Sequence, residues 1–273
     1  MWHRVQITPS RHALNEAVSA AMFEAGAEGV HEDGPHFITH LPPDHQPDAF
    51  IAAIRAVDQG LVAEHALLPD VDWSLAWRDR IGAHALGTLT VMPPWLAEGR
   101  DPETTVVIEP AMAFGTGEHP TTRGVVRLLQ GVIRPGDAVA DLGAGSAVLA
   151  IAAIKLGAAR AFAIENDHDS IGNAEENVAR NGVASRVAVL EGEADTLLPL
   201  VAPVRVITAN IISSVLLELL PAIARALAPN GVAILSGILL EEREQMLTAL
   251  AAGGWRVERE DAEELWWSVQ VAR

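Results

Sequence analysis

Residues 140–157, ADLGAGSAVLAIAAIKLG, constrain the fold of this chain more than any other stretch. The apolar run Ala138–Leu142 reads as a buried parallel strand, closed by the small residues Gly143, Ala144 and Gly145. From Ala147 to Leu156 apolar residues cover most of the circumference, as in a helix packed on a sheet, and Gly157 can end it. A further apolar run, Ala161–Ile164, sets Glu165 at its carboxyl end. An acid about 20 residues beyond a glycine loop stands where an open α/β sheet holds an adenosine-containing cofactor. The glycines let backbone approach the ligand, and the acid is placed to accept hydrogen bonds from both ribose hydroxyls.

Two cofactors share this architecture. Dinucleotide enzymes use GxGxxG, with a helix amino terminus facing pyrophosphate. Here the last position of that pattern is Val148, where close helix–strand packing favours Gly or Ala. S-adenosylmethionine carries no phosphate and accepts a looser loop, so the residues favour the methyl donor. A NAD site and a glycine turn that binds nothing remain the alternatives, because a lone glycine pattern is weak.

The chain has 273 residues, 49% of them apolar, enough for one medium domain plus a small one. No uninterrupted apolar run reaches membrane-spanning length, and MWHRVQITPS lacks the regions of a signal peptide, so a cytoplasmic location is expected. The absence of cysteine excludes disulfides, thiolate metal sites and a cysteine nucleophile. The ten histidines show no HExxH spacing, so no metal is expected. A net charge of −17 argues against a broad nucleic-acid surface and suits a basic protein partner, although acidity also serves solubility.

Along the chain, residues 1–68 suggest a small domain of their own. Trp2–Thr8 reads as a strand, and Ser10 can cap a helix running to about Ala25. Strand candidates Glu28–Glu32 and His36–Leu41 flank the turn Asp33-Gly34-Pro35; helix Asp48–Asp58 and strand Leu61–Leu68 follow. That βαββαβ order is ferredoxin-like. Residues 69–82 form a helical linker, with Trp73 and Trp77 sharing a face of helix Val71–Ile81. Residues 83–273 form the second domain, opening with two strands, HALGTLTVM and TTVVIEP. After Glu165 the expected elements are helix His168–Asn181, strands Arg186–Leu190 and Arg205–Ala209, helix Ser213–Leu227, strand Gly231–Ser236, helix Glu241–Ala252, and strands Trp255–Glu260 and Leu265–Val271. Such alternation implies a doubly wound parallel sheet with an antiparallel ending.

Two further segments fall where that sheet would place its ligand edge. AFGTGEHPTTRG, residues 113–124, is a polar loop leading into helix Thr121–Gln130; ITANIISS, residues 207–214, ends a strand at Asn210 and begins a helix. Either could be ordinary helix entry, with Thr121, Thr122, Asn210 or Ser213 merely capping. Their coincidence with the glycine loop and Glu165 points to a site.

Residues 72–78 (DWSLAWR), 108–124 (IEPAMAFGTGEHPTTRG), 141–157, 207–212 and 235–238 (LSGI) together resemble the PrmA family, methyltransferases of the eleventh protein of the large ribosomal subunit. FGTGxHPTT is far more specific than the glycine loop, and the resemblance covers about residues 70–273. It implies a seven-stranded Rossmann-like class I methyltransferase sheet, an amino-terminal substrate-recognition domain, and methylation of lysine side chains and an α-amine of a basic ribosomal protein. S-adenosylmethionine would be donor and S-adenosylhomocysteine product. By motif, Thr122, Gly143, Gly145, Glu165 and Asn210 would contact the cofactor, Phe114, Gly115 and Thr116 would close over it, and Asn210 would orient the amine. Relatives read DxGCGSG with an aspartate at the ribose position; here DLGAGSA and Glu165 stand instead, so Ala147 narrows the loop. His119 could accept a proton, or serve only structure. The same fold could act on another protein or a small amine, and a non-catalytic module holding basic proteins is the reading from a different class.

Overall fold

The computed structural model describes residues 2–43, 45–67, 81–110 and 114–273. The expected Trp73–Trp77 helix lies outside them. The chain divides into two compact units, Met1–Arg80 and Ile81–Arg273.

In the first unit, strands β1 (His3–Thr8), β2 (His31–Asp33), β3 (His36–Leu41) and β4 (Val62–Leu67) alternate with helices α1 (Asn15–Glu24) and α2 (Pro47–Arg55). The sheet order is β2-β3-β1-β4, every pair antiparallel, which is the ferredoxin-like arrangement. Val5 and Ile7, two apart on β1, point to one face and meet Val18, Met22, Phe50 and Ile54 from the helices. Ser10 does not cap α1. A 3₁₀ turn, His12–Leu14, comes first, while Ser10 donates from its backbone N (2.6 Å) and Oγ (2.7 Å) to Asp58. These bonds hold the Asp58 carboxyl below the usual carboxylate range.

The second unit opens with a three-stranded sheet, β5 (His84–Leu86), β6 (Leu89–Met92) and β7 (Thr105–Val107). Where one strand was expected across HALGTLTVM, Gly87 takes φ 65° and folds it into the β5–β6 hairpin. The main sheet is built from β8 (Ala138–Leu142), β9 (Arg160–Glu165), β10 (Val187–Glu191), β11 (Val204–Asn210), β12 (Leu227–Leu239), β13 (Arg256–Glu263) and β14 (Trp266–Ala272). Its order is β10-β9-β8-β11-β12-β14-β13, parallel through β12 and antiparallel at β14 and β13.

Helices cover both faces of this sheet. On one face α3 (Pro120–Gln130), α4 (Val148–Lys155) and α5 (His168–Arg180) pack over Val139, Val206 and Ile234. On the other, α6 (Ala194–Val201), α7 (Ser213–Ala226) and α8 (Arg243–Ala252) pack over Ala140, Ile207 and Leu235. Neighbours along a strand thus enter different cores, so β8 and β11 read as unbroken apolar runs. Helix α6 was not expected: it is short, contains Pro199, and is held chiefly by the buried Leu198. Strand order reverses between β8 and β11, and the crevice beyond their carboxyl ends is where such sheets bind ligands.

Candidate active site

The glycine loop after β8 is held by its own chain. Gly143 and Gly145 take φ of 65° and 52°. A Cβ on Gly145 would stand 2.5 Å from the Phe114 carbonyl oxygen, so this glycine is needed for packing against the 114–118 loop. Gly143 and Ala144 donate to the Ile164 carbonyl at 2.9 and 3.1 Å, and Ser146 N to the Phe114 carbonyl at 2.9 Å. The Ser146 hydroxyl donates to the Gly115 carbonyl at 2.8 Å. Ala147 N donates to the Ala144 carbonyl at 2.8 Å, and Ala150 N to Asp141 at 3.2 Å. The loop amides of residues 143, 144, 146 and 147 are therefore already occupied.

Glu165, at the end of β9, is buried and takes three backbone donors: Gly145 N at 2.8 Å, Asn166 N at 2.9 Å and Asp167 N at 2.9 Å. A carboxylate offers about four acceptor directions, so this acid first fastens the loop, with about one direction left over. The longer glutamate arm reaches Gly145 across the crevice. Ala147 sits at φ 64° at the entry to α4 and is fully buried. Its methyl packs into the core cluster under α4. Asp141 is fully buried beneath the loop, accepting from Thr208 Oγ1 at 2.7 Å and Ala150 N. Burial, reinforced by the nearby Glu165 charge, pushes its carboxyl up to about 7.

Two cavities open at this sheet edge. The larger, about 410 Å³, is lined by Gly143, by Ile164 and Asn166 on either side of Glu165, and by Ile211. Its other walls bring Glu193, Asp195 and Glu218 but, among the described residues, no lysine or arginine. Such a wall repels phosphate and suits a cationic, phosphate-free ligand. The smaller, about 240 Å³, lies between Phe114, His119, Asn210, Ile212 and Trp266, and Ile211 belongs to its wall too. One residue therefore separates the two.

The smaller cavity is assembled over long sequence distances. His119 meets Phe114 and Trp266 edge to face, with ring centroids 5.2 and 4.8 Å away. It is also the N-cap of α3, a position the sequence suggested for Thr121 or Thr122: its Nδ1 accepts from the Thr121 amide at 3.4 Å and lies 2.7 Å from the Thr121 hydroxyl. Burial, then the Arg123 charge, lowers its pKa and keeps the ring neutral. With Nδ1 accepting, the ring proton sits on Nε2, so His119 faces its surroundings as a donor. Trp266 is held by the strand pair behind it. Arg127 on α3 binds Asp261 (2.8 and 2.5 Å) and Glu263 (2.8 Å), and Arg123 binds Glu263 and the Glu118 carbonyl.

The expected site residues do not all meet in one place. Gly143 lines the larger cavity and Phe114 and Asn210 the smaller, while Gly115 and Thr116 border an outer hollow with Phe114. Gly145 and Glu165 fasten the loop. Asn210, at the end of β11, has its Oδ1 buried without a hydrogen-bond partner, and so has the Oγ1 of the fully buried Thr122. Neither Asn210 nor Ser213 caps α7; Ser213 donates to Glu242 at 2.5 Å. Sequence reasoning missed Trp266, Ile211, Arg123 and Arg127, and also Asn177, whose Oδ1 accepts from Glu109 N at 2.8 Å and whose Nδ2 donates to Ser146 O at 3.3 Å. The available signal for the last was the spacing Asn173, Asn177 and Asn181, one asparagine per turn on one face of α5.

Buried polar atoms left open at a switch point, a glycine crevice whose described walls carry no cation, and loop amides already bonded within the chain fit S-adenosylmethionine better than a dinucleotide. The fold and site are those of a Rossmann-like class I methyltransferase with S-adenosylmethionine as methyl donor. The family profile of ribosomal protein L11 methyltransferase (PrmA) matches residues 36–273. The ribosomal protein L11 methyltransferase of Thermus thermophilus is 42% identical over 252 residues, covering 92% of each chain. That of Exiguobacterium sibiricum is 35% identical and spans 100% of this chain and 99% of its own. A crystal structure of ribosomal protein L11 methylase from Lactobacillus delbrueckii subsp. bulgaricus superimposes with a TM-score of 0.62 at 30% identity, covering 70% of this chain and 98% of that one. The chain belongs to the ribosomal protein L11 methyltransferase (PrmA) family. No helix among the described residues is long and apolar enough to cross a membrane.

Proposed function

We propose that this chain N-methylates lysine side chains and the N-terminal α-amine of ribosomal protein L11 in the cytoplasm, recognising that basic substrate through its amino-terminal unit. The observation that carries the reading is the pair of cavities meeting at Ile211, with an unsatisfied Asn210 oxygen beside the smaller one. In this reading Gly143, Gly145, Glu165, Thr122 and Asn210 hold the donor, with Phe114, Gly115 and Thr116 over it, and the smaller cavity takes the acceptor amine. Bound S-adenosylmethionine supplies a methyl group already activated by the sulfonium.

The chain's own contribution is alignment and desolvation. Holding amine and methyl in line is an orientation effect worth up to roughly 7–11 kcal/mol in favourable systems. A lysine with a free pKa of about 10.4 must first lose a proton. The Phe114, Ile212 and Trp266 walls disfavour the charged form, which lowers that pKa. Asn210 Oδ1 then accepts an N–H of the neutral amine and turns its lone pair toward the donor. His119, with its proton on Nε2, is a cap and an aromatic spacer, and solvent takes the amine proton. Incubating the full chain with purified L11 and isotopically labelled donor, followed by peptide mass spectrometry, should place label on lysine and α-amino nitrogens; label confined to other atoms, or none, rejects the reading.

A further inference from the structure

Around the mouth of the smaller cavity runs a ring of exposed apolar side chains. Phe114 is 53% exposed, Ile212 65%, Leu240 40% and Leu265 70%. Hydrogen bonds and ring contacts of neighbouring residues link its members around the mouth. Phe114 and Ile212 are cavity wall and rim at once. Ser213 reaches Glu242 in the turn that begins at Leu240, and Leu240 N donates to the Leu265 carbonyl at 2.9 Å. Leu265 precedes Trp266, which closes the ring through His119 back to Phe114. Solvent-facing apolar residues at single positions need no explanation, but four gathered about one cavity mouth do.

The tip that carries Leu265 is built to stay in place. Glu264 stands beside it at φ 56°, a left-handed conformation that a glutamate adopts at a cost. The strand leading into this tip, β13, is tied to α3 by the Arg123 and Arg127 pairs. Acids border the ring: the Glu264 side chain is 68% exposed and 3.9 Å from Arg123, and Glu118, bonded to His84, lines the outer hollow with Phe114 and Arg123.

We propose that this rim docks the extended substrate segment that carries the acceptor amine, seating an apolar side chain of that segment against Leu265 and Ile212 while the flanking acids attract its basic residues. The proposal rests on the acceptor reading of the smaller cavity. The occupant follows from continuity, since any amine reaching the cavity brings its neighbours across the rim, and from charge, since a chain of net charge −17 with acids at this edge attracts a basic segment. Specificity would then be divided, with the catalytic unit itself reading residues next to the amine.

The test is steady-state methylation of purified L11 by the full chain carrying Leu265→Ser or Leu265→Met, with S-adenosylhomocysteine affinity measured alongside. Leu265→Ser should raise KM for L11 about 5- to 10-fold while kcat and inhibitor affinity stay within about twofold, and Leu265→Met should restore KM. An unchanged KM overturns the rim. A fall in kcat at unchanged KM also overturns it, because Leu265 would then only support Trp266. A dimer of the enzyme alone that Leu265→Ser dissociates in sedimentation assigns the ring to a second copy and overturns it as well. Absence of any L11 methylation by the unmodified chain is a different failure, which removes the acceptor reading and the rim with it.

Discussion

The two cavities that meet at Ile211 are built in different ways. The larger is walled by residues between Gly143 and Leu219, from the glycine loop, the ends of β9 and β11 and helices α6 and α7, and at its base loop amides and the Glu165 carboxylate satisfy one another. The smaller draws on Phe114, Asn210, Gly237 and Trp266, which come from four separate parts of the chain. Only the larger cavity's glycine loop and Glu165 are carried by one supersecondary unit, β8 to β9. The smaller cavity joins segments spread from residue 114 to residue 266, which only the whole sheet brings together.

That contrast can be attacked from its strongest side first. Gly143→Val places a branched side chain at φ 65° against Ile211 and in the wall of the larger cavity. Calorimetry should show donor affinity falling by at least ~100-fold, about 2.7 kcal/mol; a smaller loss would mean that the crevice is not the donor site. Asn210→Ala strikes the other cavity. Its kcat should fall about 10- to 100-fold, with a smaller change in donor affinity, and equal losses in both would assign Asn210 to the cofactor alone.

Subtler effects probe what lies beneath the loop. Asp141 has a folded-state pKa raised above its ordinary value of 3.8 to about 7, so its favourable contribution is complete below the lower value and is lost as pH rises through the higher. Asp141→Asn should therefore gain melting temperature relative to the unmodified chain at about pH 8 compared with about pH 5. An identical offset at both pH values would show that the buried carboxyl stays ionised throughout. Smallest of all is Ala147→Gly. Relief of a left-handed alanine, about 1–2 kcal/mol, is opposed by lost chain stiffness and a lost buried methyl of similar total size. Chemical denaturation should detect a net change below ~1 kcal/mol and unchanged donor affinity, and a weaker donor would tie Ala147 to the crevice after all.

Much of the molecule was readable from pattern alone. β8 spans the five residues expected, Ala138–Leu142, and α5 differs from its expected range by one residue at its end. Those elements carry strong periodic or continuous apolar signals bounded by glycine. Short or interrupted ones were harder. Helix α6 was hidden by Pro199, the β5–β6 hairpin was read as one strand, and Ser10 was taken for a cap although its partner Asp58 lies 48 residues away. Gly145 was read as room for a ligand, whereas its neighbour is the Phe114 backbone.

By itself the sequence determined the βαββαβ order, the doubly wound sheet with its antiparallel end, the glycine loop and the motifs FGTGEHPTT and ITAN, because each depends on residues close together in the chain. Tertiary structure decided what those motifs do to one another. It fastened the loop to Glu165 and Phe114, gave the cap of α3 to His119, locked Trp266 beside it through Arg123 and Arg127, and set Ile211 between two cavities. Such contacts join residues far apart in the chain, so no local propensity encodes them; they exist only once the apolar faces of the sheet are buried and the strand order is fixed.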